Sequence, residues 1–506
     1  MPSATRLLEY SLLIILPCSV GAAIGCGVDE RDPSLADDRV SPDAGSGEPQ
    51  GADVAAGPLD APPGAAAAGA DTASDGASAD ANAPAPPSAT PPSDVLVTIE
   101  AAGSGRFGRV ISLEPSPIVC DIPPCRYSLP RGTSITLRAQ TGNVGSGFAG
   151  WVHDRCMGQG DCPLTLGEDV SIRASYEPAN VAFVTSTSVS GDFGGPEQAD
   201  AICNARAAER GLDGPFRAWM SSTSSDAIDA LQGARGWVRL DNYPVVDTVD
   251  ALVQARMFYP IQSDERGMTQ NGRVVWTGTS GNSGRLSVMH CNDWSSAAAD
   301  VMGGSGRTTL VGMNFSLRGF SSCDTPGGIY CFGVGKNVTI SPIPNAGRLA
   351  FLTDQFFTIG GGIAGADALC QGRAEASGRT GRYKALLATS SASAAARFDL
   401  TDTRTIVRAD GMLVSIGARA FFEGTNWLTG INVAPSRAYI TNYPIWSGSA
   451  SLTQPGTLES TCNDWTAADA QGRVGFSTFT TPAEFFGDSG LFYSCGTSSY
   501  IGCLEE

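Results

Sequence analysis

At 506 residues, with 42% hydrophobic and 17% charged side chains, the chain is long enough for three or four domains, each able to bury its own core. Its formal net charge of −18 sits largely on residues 27–93, the rest is mildly acidic, and nothing in this balance points to nucleic acid or another polyanion. Fourteen cysteines stand against two histidines, and no Cys-x-x-Cys pair occurs, so disulfides are favoured over zinc and no metal or cofactor is expected.

Residues 1–26 carry an early Arg6, a short apolar run around Leu12–Leu16 and then small residues ending at Cys26. The run is too short to span a bilayer and suits an export signal. Ala23-Ile24-Gly25-Cys26 resembles a bacterial lipobox, which implies that Cys26 takes a lipid and becomes the first residue after cleavage. Ordinary secretion with cleavage nearby is the alternative. Residues 27–93 are Ala, Pro, Gly, Ser and Asp with few large apolar side chains, and 12 acids there face only Arg31 and Arg39. Such a segment cannot collapse and is expected to be a disordered, extended, self-repelling tether.

From Asp94 to residue 179 the pattern becomes all-β: VLVTIE, RVISL, SITLRAQ and DVSIRASY alternate β-branched residues between Gly and Pro turns. Four cysteines fall here. Local pairs Cys120–Cys125 and Cys156–Cys162 are preferred among the three possible arrangements. Phe148-Ala149-Gly150-Trp151, followed by Cys156, Cys162 and a strand ending near Tyr176, resembles divergent bacterial β-repeat modules related to the internalin B-repeat, which implies a spacer.

The remainder is a duplication, residues 181–336 and 347–506. Ala-Asp-Ala-Ile-Cys203 matches Ala-Asp-Ala-Leu-Cys370, and Cys291-Asn-Asp-Trp294 matches Cys462-Asn-Asp-Trp465. Cys323 and Cys331 have the same spacing as Cys495 and Cys503. Each copy predicts a short strand, a helix bearing its first cysteine (196–210 and 364–376) and a strand ending in Ser-Ser or Ala-Thr. A second short helix (226–232 and 392–398) and Gly-rich loops with short strands follow: a loop-heavy α+β unit.

The order helix-borne Cys, FRAWMSS, VVWTG, CNDW, then two cysteines with seven residues between them resembles endostatin, a domain with a C-type-lectin-like fold. The resemblance covers both copies. It implies nested disulfides, Cys203–Cys331 around Cys291–Cys323 and Cys370–Cys503 around Cys462–Cys495. Endostatin-like domains also occur in bacterial surface lipoproteins, some of them adhesins and others of unknown function.

Asn292, Asp293, Trp294, Asn463, Asp464 and Trp465 are the candidate ligand-binding residues, by analogy with the Trp-Asn-Asp signature of calcium-dependent lectins. The pattern departs from that signature, since no Glu-Pro-Asn occurs and six or more oxygens cannot be assembled for calcium. A turn cap with a core tryptophan is the simpler reading. His290 precedes Cys291 but has Thr461 as its counterpart, which argues against a nucleophile–base pair. Trp237, Tyr243, Phe258, Tyr259, Phe421, Phe422, Trp427 and Tyr443 are either contact anchors or core fillers, the second being simpler. The expected function is a non-enzymatic, lipid-anchored surface protein binding an extracellular protein or carbohydrate, with the membrane reached through the lipid and no nucleic acid involved. The alternatives are a structural envelope component without a discrete ligand and, third, an enzyme.

Overall fold

The computed structural model describes residues 93–114, 117–441, 443–487 and 490–506. The lipidation site at Cys26, the export signal and the tether up to residue 92 lie outside them.

Two four-stranded sheets form the first part. One has the order Cys125–Pro130, Asp94–Ala102, Val170–Pro178, Ser146–Val152; the other runs Val119–Cys120, Arg109–Ser112, Ser134–Gln140, Cys162–Thr165. Alternation explains the arrangement, because Val95, Val97 and Ile99 point one way into a core shared with Val110, Leu137, Phe148, Trp151 and Ile172. Cys120 is bonded to Cys125 and Cys156 to Cys162.

Each copy then builds one eight-stranded sheet, and the strand order is the same in both. In the first it is Pro244–Val246, Trp237–Val238, Asn180–Val184, Gly328–Gly333, Val274–Trp276, Met302–Arg307, Gly319–Ser322, with Phe216–Ala218 also pairing with Gly328–Gly333. In the second it is Leu413–Ser415, Ile406–Arg408, Arg348–Leu352, Tyr500–Glu505, Pro444–Trp446, Gln471–Phe476, Phe492–Ser494, with Tyr383–Ala385 on Tyr500–Glu505. The central strands Gly328–Gly333 and Arg348–Leu352 are buried throughout, because both sheet faces are covered. On one face lies the cysteine-bearing helix, Pro196–Ala208 or Gly362–Ala376. Its Ala199, Cys203 and Ala207, or Ala366, Cys370 and Ala374, form the buried stripe at helical spacing. The other face holds a second cluster, around Trp219, Trp237 and Phe332 in the first copy and Phe421, Trp427 and Phe485 in the second.

The second helices are shorter than the sequence pattern suggests: one turn at Ala227–Ala230 and a 3₁₀ turn at Ala395–Arg397. Neither segment is long enough to pay the nucleation cost of a helix alone, and only Ala227 or Ala395 of each is buried against the sheet.

Disulfides join Cys203 to Cys331, Cys291 to Cys323, Cys370 to Cys503 and Cys462 to Cys495. The copies meet along equivalent segments. Val311 N–H donates to Thr478 O at 3.0 Å and Thr480 N–H to Thr309 O at 3.1 Å, which brackets an antiparallel bridge between Leu310 and Phe479. Arg408, buried in the second copy, reaches across to donate to Met257 O at 2.9 Å, and Leu413 N–H donates to the Tyr259 hydroxyl at 2.8 Å. The segment joining the copies pairs with the first part, where Phe148 and Thr339 exchange two 2.9 Å backbone hydrogen bonds.

The described residues are thus mostly β, with two similar eight-stranded sheets and six disulfides, as suits a protein exported to an oxidising compartment. Among them no helix is long and apolar enough to cross a membrane.

Candidate functional site

The Cys-Asn-Asp-Trp tetrapeptides form left-handed turns. Cys291, Asn292, Asp293 and Trp294 have φ of 49°, 53°, 55° and 61°, and Cys462 to Trp465 have 53°, 52°, 52° and 67°. Side chains other than glycine occupy this region at a cost of about 1–2 kcal/mol each, so the surroundings must compensate. They do so at equivalent positions in both copies. Trp294 is fully buried and donates its indole N–H to Ser221 O at 2.9 Å; Trp465 donates to Ala388 O at the same distance. Asp293 accepts the backbone N–H of Thr223 at 2.8 Å and also its hydroxyl, while Asp464 accepts both from Ser390 at 2.6 and 2.7 Å. The Asp293 N–H donates to His290 Nδ1 at 2.8 Å, and Asp464 N–H to the Thr461 hydroxyl at 3.0 Å.

This geometry explains what the candidate residues do. Trp294 and Trp465 are core plugs, and Asn292 and Asn463 are exposed at the outer corner of the turn. Asp293 and Asp464 pin the loop after the Phe216–Ala218 or Tyr383–Ala385 strand. The hydroxyl and amide of Thr223 hold the Asp293 carboxyl below the usual aspartate range. His290 is a cap for the turn, and Thr461 replaces it with an oxygen acceptor, which accounts for the His-to-Thr exchange. Of the eight aromatic candidates, Trp237, Tyr259, Phe421, Phe422 and Trp427 are buried, and Tyr443 is 48% exposed.

Asp293 nevertheless lines a cleft of about 660 Å³ in the first copy. Its floor is the start of the Pro196–Ala208 helix and the strand carrying Arg217; its far wall is the Ala227–Ala230 turn. Five carboxylates line it, on Glu197, Asp200, Asp226, Asp229 and Asp293, together with the hydroxyls of Ser222, Ser224 and Ser225 and a single guanidinium, Arg217. Asp200 is anchored by accepting Ala218 N–H at 2.7 Å and pairs with half-exposed Arg217 at 2.7 Å. Asp226 accepts Leu286 N–H at 2.8 Å and pairs with Arg285 at 2.6 Å. Among the described residues no group of three or more His, Cys, Asp or Glu side chains stands close enough to hold a metal ion. The arrangement offers hydrogen-bond acceptors and negative charge on a covalently stapled frame.

Of the lining carboxylates, sequence reading singled out Asp293 alone. Glu197 and Asp200 lie on one helix and Asp226 and Asp229 on a second segment, and only the folded topology brings both to Asp293. A scan against protein-family models finds no match, and a search of curated proteins finds none either. The architecture therefore defines the class on its own terms: an exported, disulfide-stapled protein with a duplicated β-rich module, one copy of which carries an open acidic cleft.

Proposed function

We propose that the chain is a non-enzymatic binding protein of the cell exterior, whose duplicated modules have an endostatin-like, C-type-lectin-like fold and whose first copy holds an extracellular protein or glycan. The single observation carrying this reading is the 660 Å³ cleft, whose rim is fixed by the left-handed turn and whose helix is tied down by Cys203–Cys331. Its volume falls in the range of ligand sites, and two of its carboxylates, Glu197 and Asp200, sit on the disulfide-held helix. Cysteines that could act as nucleophiles are all in disulfides within the described residues, and His290 is spent on capping. The lipid at Cys26 and the acidic tether would hold the modules off a membrane surface.

An array of glycans and extracellular matrix proteins probed with residues 93–506 tests this role. Saturable binding that weakens when Ser224 and Ser225 are replaced by alanine supports it. Absence of binding on every surface, with native disulfides verified, leaves the structural envelope role instead.

A further inference from the structure

Ungapped comparison of the two copies shows what distinguishes their clefts. The frame is equivalent: Asp200 accepts Ala218 N–H at 2.7 Å, and Asp367 accepts Ala385 N–H at 2.8 Å. Nine residues after the carbonyl that holds the turn tryptophan, at Ser221 or Ala388, the first copy has Ala230 and the second has Arg397. Ala230 lines the open cleft. Arg397 lies largely buried, with Nη2 on Asp367 Oδ2 at 2.5 Å and Nη1 donating to Ala385 O at 2.6 Å.

The surrounding charges change in step. Where the second copy supplies its own guanidinium, the positions of Glu197, Asp226 and Asp229 hold Ala364, Ser393 and Ala396. Lys384, the counterpart of Arg217, pairs with Glu506 and donates to Arg397 O at 3.3 Å, and the guanidinium on Asp367 is that of Arg397. Among the described residues of the first copy, Ala230 leaves the position of Arg397 without a guanidinium, and three additional carboxylates line that space. A surplus of like charges in one cleft is unfavourable unless a cation offsets it. Arg217 offsets Asp200 from the rim, and Arg285 offsets Asp226, while Glu197 and Asp229 form no ion pair among the described residues.

We infer that the cleft of the first copy takes a guanidinium group from outside the chain, seated against Asp200 and Asp229 where the second copy seats its own Arg397. This rests on the proposed binding role and specifies the ligand's chemistry. The fork geometry on Asp367 and Ala385 O favours guanidinium over the compact charge of an ammonium, because one planar group satisfies a carboxylate and a carbonyl together. An arginine side chain of an extracellular polypeptide and a free small guanidine share this chemistry.

Isothermal titration of residues 93–506 tests it with four probes: argininamide, a blocked tripeptide with central arginine, lysinamide and the neutral isostere citrullinamide. Argininamide is expected to bind saturably, at least tenfold more tightly than citrullinamide and more tightly than lysinamide. A tripeptide that binds more tightly than argininamide identifies a polypeptide source, and equal affinity a free guanidine. Ala230→Arg, which installs the second copy's side chain, is expected to weaken argininamide binding at least tenfold. Asp229→Asn, at an exposed position with no structural partner beyond Gln232, is expected to weaken it severalfold and carries the test should Ala230→Arg fail to fold. Equal titration of wild type and variants, or no preference over citrullinamide, overturns the inference. Array binding that persists unchanged in Ala230→Arg would also overturn it while leaving the wider binding role standing.

Discussion

Removing the outer disulfide of the first copy, by Cys203→Ala with Cys331→Ala, is expected to cost most of that copy's stability. The bond closes 128 residues. In the chain-entropy treatment, that closure restricts the unfolded chain by about 5 kcal/mol at room temperature. The inner bond shortcuts 32 of those residues, yet the logarithmic dependence leaves the figure close to about 4.7 kcal/mol. Both sulfurs are fully buried between the helix and the central strand, so truncation to alanine adds about 1 kcal/mol of lost packing. The sum rivals the whole stability of a typical domain, about 5–15 kcal/mol. Equilibrium unfolding in guanidinium, followed by the fluorescence of buried Trp219, Trp237, Trp276 and Trp294, reads it directly. Removing only the inner pair, Cys291→Ala with Cys323→Ala, opens the shorter loop and is expected to cost about 1 kcal/mol less in the loop contribution. A loss below about 2 kcal/mol for the outer pair would refute the reasoning, since the loop would then be restrained by something other than the bond.

Arg408→Met is expected to destabilise the chain by about 3–5 kcal/mol, because it leaves Asp410 buried without its partner and strips a donor from Met257 O. The loss should register in denaturant unfolding of both copies together, since that guanidinium bridges them. Gly303→Ala and Gly472→Ala should each cost about 1–3 kcal/mol, as a Cβ there would stand 2.6 Å from Cys291 Sγ or Cys462 Sγ and against a tryptophan ring; thermal melts check this. Stability should be level near neutrality and fall as pH drops below about 4. The carboxyl of Asp293 is held low by the Thr223 hydroxyl and amide, and that of Asp402 by its hydrogen bond to Arg404. A folded-state value below the unfolded one gives stability that is present above the unfolded value and lost as protons are forced on. A midpoint that rose on acidification would contradict this sign.

Much of the architecture is written in short sequence signals. The paired Cys-Asn-Asp-Trp and Ala-Asp-Ala-x-Cys segments mark the duplication, and alternation at Val95, Val97 and Ile99 marks the first β sheets. The second helices are shorter than their sequence suggests, because alanine-rich runs such as Ala392 to Ala396 have helix propensity without the length to sustain it. The left-handed conformation of four consecutive residues has no signal in local propensity, since Cys and Trp disfavour it; the disulfide and the tryptophan pocket impose it. The cleft was legible only in part. Asp293 was visible in its motif, but Glu197, Asp200, Asp226 and Asp229 come together through topology. One signal was present in the chain and decisive: laid without gaps on YKALLATSSASAAAR, the segment FRAWMSSTSSDAIDA sets Ala230 opposite Arg397.

Hydrogen exchange on residues 93–506, with and without a ligand recovered from the array, tests most directly where binding occurs. Binding in the first cleft is expected to add amide protection around residues 195–200, 217–230 and 293, with the matching segments of the second copy unchanged. Equal protection in both copies, or protection confined to the first two β sheets, would contradict it.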